Sequence, residues 1–175
     1  GYLMRDEEIR EFSDITLEIA EIHSMSMEFF TTGWMELFFG DRKDDYLTLH
    51  MEHSINFIPY GCMVDEFQHL VYEKPEMTPA ERKQTWLELE KEYRPHLDYG
   101  DDAFYSKGGF WQKQLHIFHY PFYYIDYVLA QTIAFQFWAI GTEDFAKSFQ
   151  MYVDLTKKGG RYTFVDLVRQ TGLRV

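Results

Sequence analysis

The amino-acid sequence predicts an all-α fold built from several helices. Apolar residues recur at intervals of three and four along most of the chain, and the alternation typical of half-buried strands is nearly absent. Helix-capping patterns are frequent, the clearest being Thr78-Pro79-Ala80-Glu81, where a cap, a first-turn proline and a capping-box glutamate follow one another. Prolines and glycine pairs separate the periodic stretches, so the helices are expected to be discrete.

The first long helix is predicted over Asp14–Phe39, after a short charged lead-in. Ser13 or Asp14 is suited to the N-cap, Gly33 is expected to weaken or bend the helix, and Gly40 to end it. One apolar stripe of this helix consists of Ile15, Ile19, Ile22, Ser26 and Phe29.

The second helical pattern begins at Asp44 or Asp45 and stops before Pro75. Pro59 and Gly61 interrupt it, which predicts a kink or a break between two helices.

The third helix starts at Pro79, carries Trp86, Leu89 and Tyr93 on one face, and ends before Pro95. A polar loop over residues 95–109 follows, and its glycines make it a candidate for closing over a ligand.

The C-terminal part of the chain contains four further helical patterns. They are a short helix over Phe110–Phe118, an apolar helix from Pro121 to Ile140, a helix capped by Thr142 and ended by Gly159-Gly160, and a last helix capped by Thr163 with Asp166 and closed by Gly172.

Length and charge limit the function classes. The 175 residues fit one domain, and 17 Lys and Arg against 29 Asp and Glu give a net charge of −12. Nucleic acids and anionic membranes need a basic face, so neither is expected as a partner. The single Cys62, the lack of a signal peptide and the lack of a long uncharged run predict a cytoplasmic protein.

A stripe of carboxylates runs beside the apolar stripe of the first helix. It contains Glu18, Glu21 and Glu28, and no Lys or Arg occurs between Ser13 and Thr32. Stacked carboxylates repel one another and favour a cation, a proton or a partner chain. One of these glutamates is therefore a candidate metal ligand, and the alternative is the ordinary acidic face of a helix.

The second candidate group lies between His116 and Gln131. Tyr120, Tyr123, Tyr124 and Tyr127 stand at i, i+3, i+4 and i+7, which predicts one continuous phenolic face on the Pro121 helix. His116 lies one turn upstream. Phenol hydroxyls and an imidazole N–H are donors suited to an oxyanion or a peptide carbonyl. The alternative is a tyrosine-rich core or interface stripe.

Two weaker patterns contain histidine. Glu66-Phe67-Gln68-His69 has the E-x-x-H spacing of di-iron bundles, but only one copy is present, and Asp65 and His69 are expected to share a hydrogen bond instead. His50 and His53 do not form an H-E-x-x-H motif and are expected to face solvent.

Several stretches resemble the oligoendopeptidase F and thimet oligopeptidase family of zinc metallopeptidases. The stretches are AEIHSMSMEFF, FIPYGCMVDEFQHLVYE, the TPAER to WLELEKEY block, and GGFWQKQLHIFHYPFYYIDYVLAQTIAFQFW. The resemblance implies that Glu21 is the third zinc ligand, with Glu18, Ser24 and Glu28 supporting it. It further implies that His116, Tyr127 and Tyr123 are catalytic and that Tyr120 and Tyr124 bind substrate.

The chain departs from that family in one respect, because it contains no H-E-x-x-H motif. The resemblance therefore implies that residues 1–175 are the C-terminal portion of a larger helical catalytic domain with a deep substrate channel, cut at both ends. Such a piece is expected to be inactive and to bind no stoichiometric Zn²⁺ alone. Its expected partners are short peptides, the missing N-terminal part and further copies of itself.

Two other functions remain open from the residues. One is a non-catalytic helical interaction module that uses the same aromatic surfaces. The other is a di-iron carboxylate bundle that uses Glu18, Glu21, Glu66 and His69.

Overall fold

The computed structural model describes residues 2–175, and these residues form α-helices and 3-10 turns without a strand, which confirms the all-α class. The α-helices of this range are α1 (Arg10–Ser13), α2 (Leu17–Phe30), α3 (Glu36–Phe39), α4 (Lys43–Glu73), α5 (Pro79–Tyr93), α6 (Leu115–His119), α7 (Tyr124–Glu143), α8 (Phe145–Lys158) and α9 (Phe164–Gln170). None of the helices formed by residues 2–175 is long and apolar enough to cross a membrane.

The chain divides into two compact units. The first contains the residues up to Met51 together with Leu129–Val175. Its core is made by Ile19, Ile22, Phe30, Ala130, Ile133, Phe137, Leu155, Phe164, Leu167, Val168 and Leu173. The apolar stripe of α2 faces inward as the spacing predicts, because Ile19 and Ile22 are fully buried.

The predicted helix over Asp14–Phe39 is wrong in its bounds. Ser13 belongs to α1 and donates its hydroxyl to Arg10 O at 2.6 Å, so it cannot cap α2. At the other end, α2 stops at Phe30, and a 3-10 turn over Thr32–Trp34 contains Gly33 before α3 begins. Gly40 ends α3 with a φ of 52°, as expected for a glycine in a left-handed conformation.

The caps of α8 and α9 differ in how well the sequence predicts them. Thr163 caps α9 as expected, since its hydroxyl accepts the N–H of Asp166. Thr142 does not cap α8, because it lies inside α7 and its hydroxyl donates to Ala139 O at 2.7 Å. Asp144 takes that position instead and accepts the N–H of Lys147 at 2.9 Å. Thr142 and Asp144 are both residue types that cap helices, so the sequence alone does not decide at which of them α8 begins.

The second unit is Glu52–Val128. Its core consists of Met63, Val64, Phe67, Trp86, Leu89 and Trp111. Helix α5 begins at Pro79 with the predicted capping box, in which Thr78 N–H donates to Glu81 Oε2 at 2.7 Å and the Thr78 hydroxyl accepts Glu81 N–H.

Helix α4 is continuous through Pro59, so the predicted alternative of two separate helices is wrong. A proline inside a helix costs about 3 kcal/mol, because one N–H is missing and the ring crowds a carbonyl. Downstream of Pro59, Met63, Val64 and Phe67 are fully buried, and each contributes roughly 1.5–3 kcal/mol of burial. The burial of these three side chains therefore outweighs the local cost of Pro59.

Gly61 on α4 lies directly against Val128 in the first part of α7. A Cβ at Gly61 would lie 2.2 Å from Val128 Cγ2, so we expect Gly61→Ala to lower the free energy of unfolding by about 1–3 kcal/mol through overpacking. Val128→Ala removes the clashing methyl groups, and the double variant should be more stable than the sum of the single effects predicts. Urea unfolding of the four proteins measures this coupling.

Gly33→Ala serves as the control, because a Cβ at Gly33 meets nothing within 4 Å. We expect this variant to change stability little. Strictly additive effects of Gly61→Ala and Val128→Ala would contradict the packing described here.

Candidate functional site

A tight turn precedes α7 and sets the positions of the tyrosines. Phe122 has a φ of 65°, a left-handed conformation that costs a bulky residue about 1–3 kcal/mol. Its N–H donates to Gln68 Oε1 at 2.8 Å, and Gln68 is almost completely buried. The Phe122 ring also lies 4.9 Å from the rings of His69 and Tyr72. These contacts hold the strained turn in place.

The predicted helix from Pro121 and its continuous phenolic face are therefore wrong in part. The left-handed Phe122 interrupts the helix, so α7 begins at Tyr124. Tyr120 is the C-cap of α6 and is 61% exposed. Its ring still lies 6.2 Å from that of Tyr123, at the solvent side of the group.

The structure brings His116 together with three of the predicted tyrosines. The His116 ring centroid lies 5.0 Å from Tyr124, 5.6 Å from Tyr127 and 6.0 Å from Tyr123. Tyr123 and Tyr127 are 4.9 Å apart, again between ring centroids. All four side chains are half-buried. We call His116, Tyr123, Tyr124 and Tyr127 the His–Tyr cluster.

Hydrogen bonds orient the imidazole within the His–Tyr cluster. Gln114 Nε2 lies 2.7 Å from His116 Nδ1, and Gln114 Oε1 accepts the Tyr60 hydroxyl at 2.7 Å. On the other side of the ring, His116 Nε2 lies 3.5 Å from the Tyr127 hydroxyl, a long contact. The two ring nitrogens thus face different surroundings.

Burial favours the neutral form of two phenols near His116, those of Tyr124 and Tyr60. It raises the pKa of Tyr124 to about 12 and raises that of Tyr60 further above its usual value. Neutral phenols remain hydrogen-bond donors at neutral pH. The group can therefore offer O–H and N–H donors to a carbonyl or to a developing oxyanion.

The candidate metal ligand Glu21 lies on α2, in the first unit. It is half-buried, and the Ser24 hydroxyl lies 2.9 Å from Glu21 Oε2, one turn along the helix. Glu18 is half-buried one turn before Glu21. The predicted partner Ser24 thus contacts Glu21 directly.

Glu28 has a different partner, and it corrects the expectation for His50. His50 Nε2 lies 2.9 Å from Glu28 Oε2, and the His50 side chain is only 13% exposed. Its ring packs 4.9 Å from Phe29. The prediction that His50 faces solvent is wrong, because this contact between two helices is invisible to helical spacing, whereas His53 is exposed as predicted.

Among residues 2–175, no group of three His, Cys, Asp or Glu side chains is placed to hold a metal ion. Catalytic zinc sites use three protein ligands, so the described residues do not make such a site by themselves. The di-iron alternative finds no ligand set within the same range. Glu66 accepts the Tyr93 hydroxyl at 2.5 Å, and His69 pairs with Asp65 at 3.4 Å, as predicted for the latter pair.

Comparison with known proteins gives three solved structures. One assigned as an oligoendopeptidase F is 53% identical with a TM-score of 0.95, and PZ peptidase A with an inhibitor is 49% identical with a TM-score of 0.95. A third, assigned as an oligoendopeptidase F from Bacillus anthracis strain Ames, is 42% identical with a TM-score of 0.82. Each match covers 99% of this chain. No protein-family model and no curated protein matches it.

The resemblance to oligoendopeptidase F is confirmed. The chain spans only about a third of the solved structures that it matches, at 31%, 31% and 28% of their lengths. A similar helical fold alone would be weak support for this resemblance. Sequence identities of 53% and 49% over 99% of the chain support it much more strongly.

Sequence reasoning missed three residues that position the His–Tyr cluster. Gln68 could have been found from the sequence, because it lies four residues after Val64 on the apolar face of α4, where a buried polar side chain needs a hydrogen-bond partner. Tyr60 and Gln114 could not have been found in this way, because their contact joins residues that are 54 positions apart in the sequence.

Replacing Gln68 tests the role of the turn. We expect Gln68→Leu to lower the free energy of unfolding by about 1–3 kcal/mol, because it leaves the Phe122 N–H without its acceptor. Urea unfolding measures the change, and Gln84→Leu on an exposed face of α5 is the matched control. Equal stabilities of the two variants would show that the bond does not hold the turn.

Proposed function

We propose that this chain is part of a zinc metalloendopeptidase that hydrolyses internal bonds of short peptides. The supporting observation is the likeness, in sequence and in fold, to oligoendopeptidase F and PZ peptidase A over nearly the whole chain. Because the chain spans about a third of those structures, the activity belongs to a longer protein. The piece alone, lacking an H-E-x-x-H motif, would be inactive.

Glu21 would be this chain's zinc ligand, the other two coming from the rest of the protein. The Ser24 hydroxyl at Glu21 Oε2 supports this role, since groups that bind a ligand's second oxygen fix its orientation. Glu18 and Glu28 would add negative potential that favours a cation. When bound, zinc would act as a Lewis acid toward the peptide carbonyl.

The His–Tyr cluster would bind the peptide and stabilise the tetrahedral intermediate. His116, Tyr127 and Tyr123 would donate to the oxyanion, a type of contact that contributes about 10²–10³-fold to kcat for each donor. Tyr124 and the exposed Tyr120 would contact the peptide backbone on either side. Short extended peptides fit this role better than folded proteins, because their backbone carbonyls are free to accept hydrogen bonds from a row of donors.

The interaction-module alternative has one observation in its favour. On α3, Leu37 is 79% exposed and Phe38 74% exposed, and Trp34 just before is 52% exposed. Large exposed apolar groups favour contact with protein. In the peptidase proposal, the same groups would meet the remaining two-thirds of the longer protein.

Replacing the proposed ligand tests the peptidase proposal in the longer protein. We expect Glu21→Gln to reduce zinc content and to lower the hydrolysis of an internally quenched peptide by more than the 10–100-fold typical of a supporting group. Ser24→Ala should fall within that smaller range. Zinc analysis and steady-state kinetics measure both effects.

Glu36→Gln is the control for the lost charge, because Glu36 is exposed in the same unit. It should leave zinc content and kcat/KM unchanged. Full zinc occupancy and full activity of Glu21→Gln would contradict the ligand role, and a longer protein without peptidase activity would favour the interaction module.

The isolated 175-residue chain should self-associate through its exposed apolar residues. We expect sedimentation velocity to show a monomer fraction that falls as concentration rises, because Leu37 and Phe38 are left open to solvent. Leu37→Ser with Phe38→Ser should restore the monomer, whereas Thr48→Ser, an exposed polar exchange, should not. A wild-type chain that stays monomeric at millimolar concentration would contradict this expectation.

A further inference from the structure

The contact between Gln114 and His116 indicates which ring nitrogen of His116 holds the proton. Gln114 Nε2 is 2.7 Å from His116 Nδ1, and an amide nitrogen can only donate. His116 Nδ1 must therefore present its lone pair to the amide. In a neutral ring the single proton then lies on Nε2, on the side of the Tyr127 hydroxyl.

The other end of the amide contacts Tyr60. The Tyr60 hydroxyl donates to Gln114 Oε1 at 2.7 Å, so the oxygen of the amide faces the phenol and the nitrogen faces the imidazole. The Arg94 guanidinium lies 4.9 Å from the Tyr60 ring centroid and helps to fix the ring. Burial raises the pKa of Tyr60, which keeps its proton available for this bond.

We propose that Gln114 is a positioning residue that holds the single proton of the neutral His116 ring on Nε2, ready to donate to a substrate oxygen. The proposal rests on the proposed function only in its last clause. An Nδ1–H on His116 would point at the amide N–H, so that form of the ring needs the amide to turn over and the Tyr60 hydroxyl to accept from Gln114 Nε2 instead of donating to Oε1. The pair of bonds thus favours the Nε2–H tautomer of the neutral ring over the Nδ1–H tautomer.

Nitrogen NMR tests the tautomer directly. In a chain labelled with ¹⁵N-histidine, long-range ¹H–¹⁵N spectra distinguish protonated from unprotonated ring nitrogens, and His116→Asn identifies the His116 signals among the seven histidines. At a pH where the ring is neutral, we expect His116 Nε2 to be protonated and Nδ1 not. A ring protonated on Nδ1, or an even mixture, would overturn the proposal.

The variant Gln114→Glu tests whether Gln114 is the cause. A carboxylate only accepts, so His116 should change to the Nδ1–H tautomer. Tyr60→Phe removes the bond that orients the amide and should give a mixture of tautomers. Gln112→Glu, an exposed residue two positions earlier, is the control and should leave the pattern unchanged. An unchanged tautomer in Gln114→Glu would overturn the role of Gln114.

Kinetics of the longer protein test the last clause. Gln114→Glu should lower kcat by about tenfold or more, but by no more than the 10²–10³-fold that loss of one oxyanion donor costs, with KM nearly constant. If the longer protein is an active peptidase and Gln114→Glu leaves its kcat unchanged, the proposed role of His116 as a donor is wrong. If the longer protein has no peptidase activity at all, the proposed function fails, and the NMR result still decides the tautomer.

Discussion

The hydrogen bond from the Phe122 N–H to Gln68 Oε1 is the constraint on which the His–Tyr cluster depends. It holds a bulky residue in a left-handed conformation that such residues avoid. Tyr120, with φ −139° and ψ 67°, ends α6 before Pro121, and the left-handed Phe122 completes the turn into α7, so α6 and α7 do not continue as a single helix. The turn is what places His116 on α6 against Tyr124 and Tyr127 on α7, at ring distances that one straight helix would not give.

Continuity of α4 links this turn to the orientation of His116. Tyr60 and Gln68 lie eight residues apart on α4, about 12 Å along its axis. One binds Gln114 before α6, and the other binds Phe122 after it. A break at Gly61, which lies between Tyr60 and Gln68, would uncouple the two contacts, so a helix that is unbroken over this stretch is needed to hold both ends of the segment in place. Burial of Phe67 and its neighbours after the proline keeps the helix whole.

Local chemistry made much of the fold predictable. The capping box at Thr78, the cap at Thr163 and the glycines that end α3 and α8 act within a few residues, so the sequence alone identifies them. Failures occurred where a distant partner decided the outcome. Helical spacing placed Tyr120 on α7, and nothing nearby in the sequence indicated that Gln68 would bind Phe122 and stop the helix there. His50 was misjudged for the same reason, since Glu28 lies 22 residues away.

The two candidate groups differ in kind, and the difference limits what each can do. The His–Tyr cluster offers hydrogen-bond donors, because its tyrosines carry O–H groups and burial raises the pKa of Tyr124. Neutral donors suit a carbonyl or an oxyanion and do not attract a cation. The α2 group of Glu18, Glu21 and Glu28 consists of acceptors, which suit a cation and cannot stabilise an oxyanion. Hydrolysis of a peptide bond needs both an activated water and an oxyanion partner, so neither group suffices for the proposed chemistry without the other.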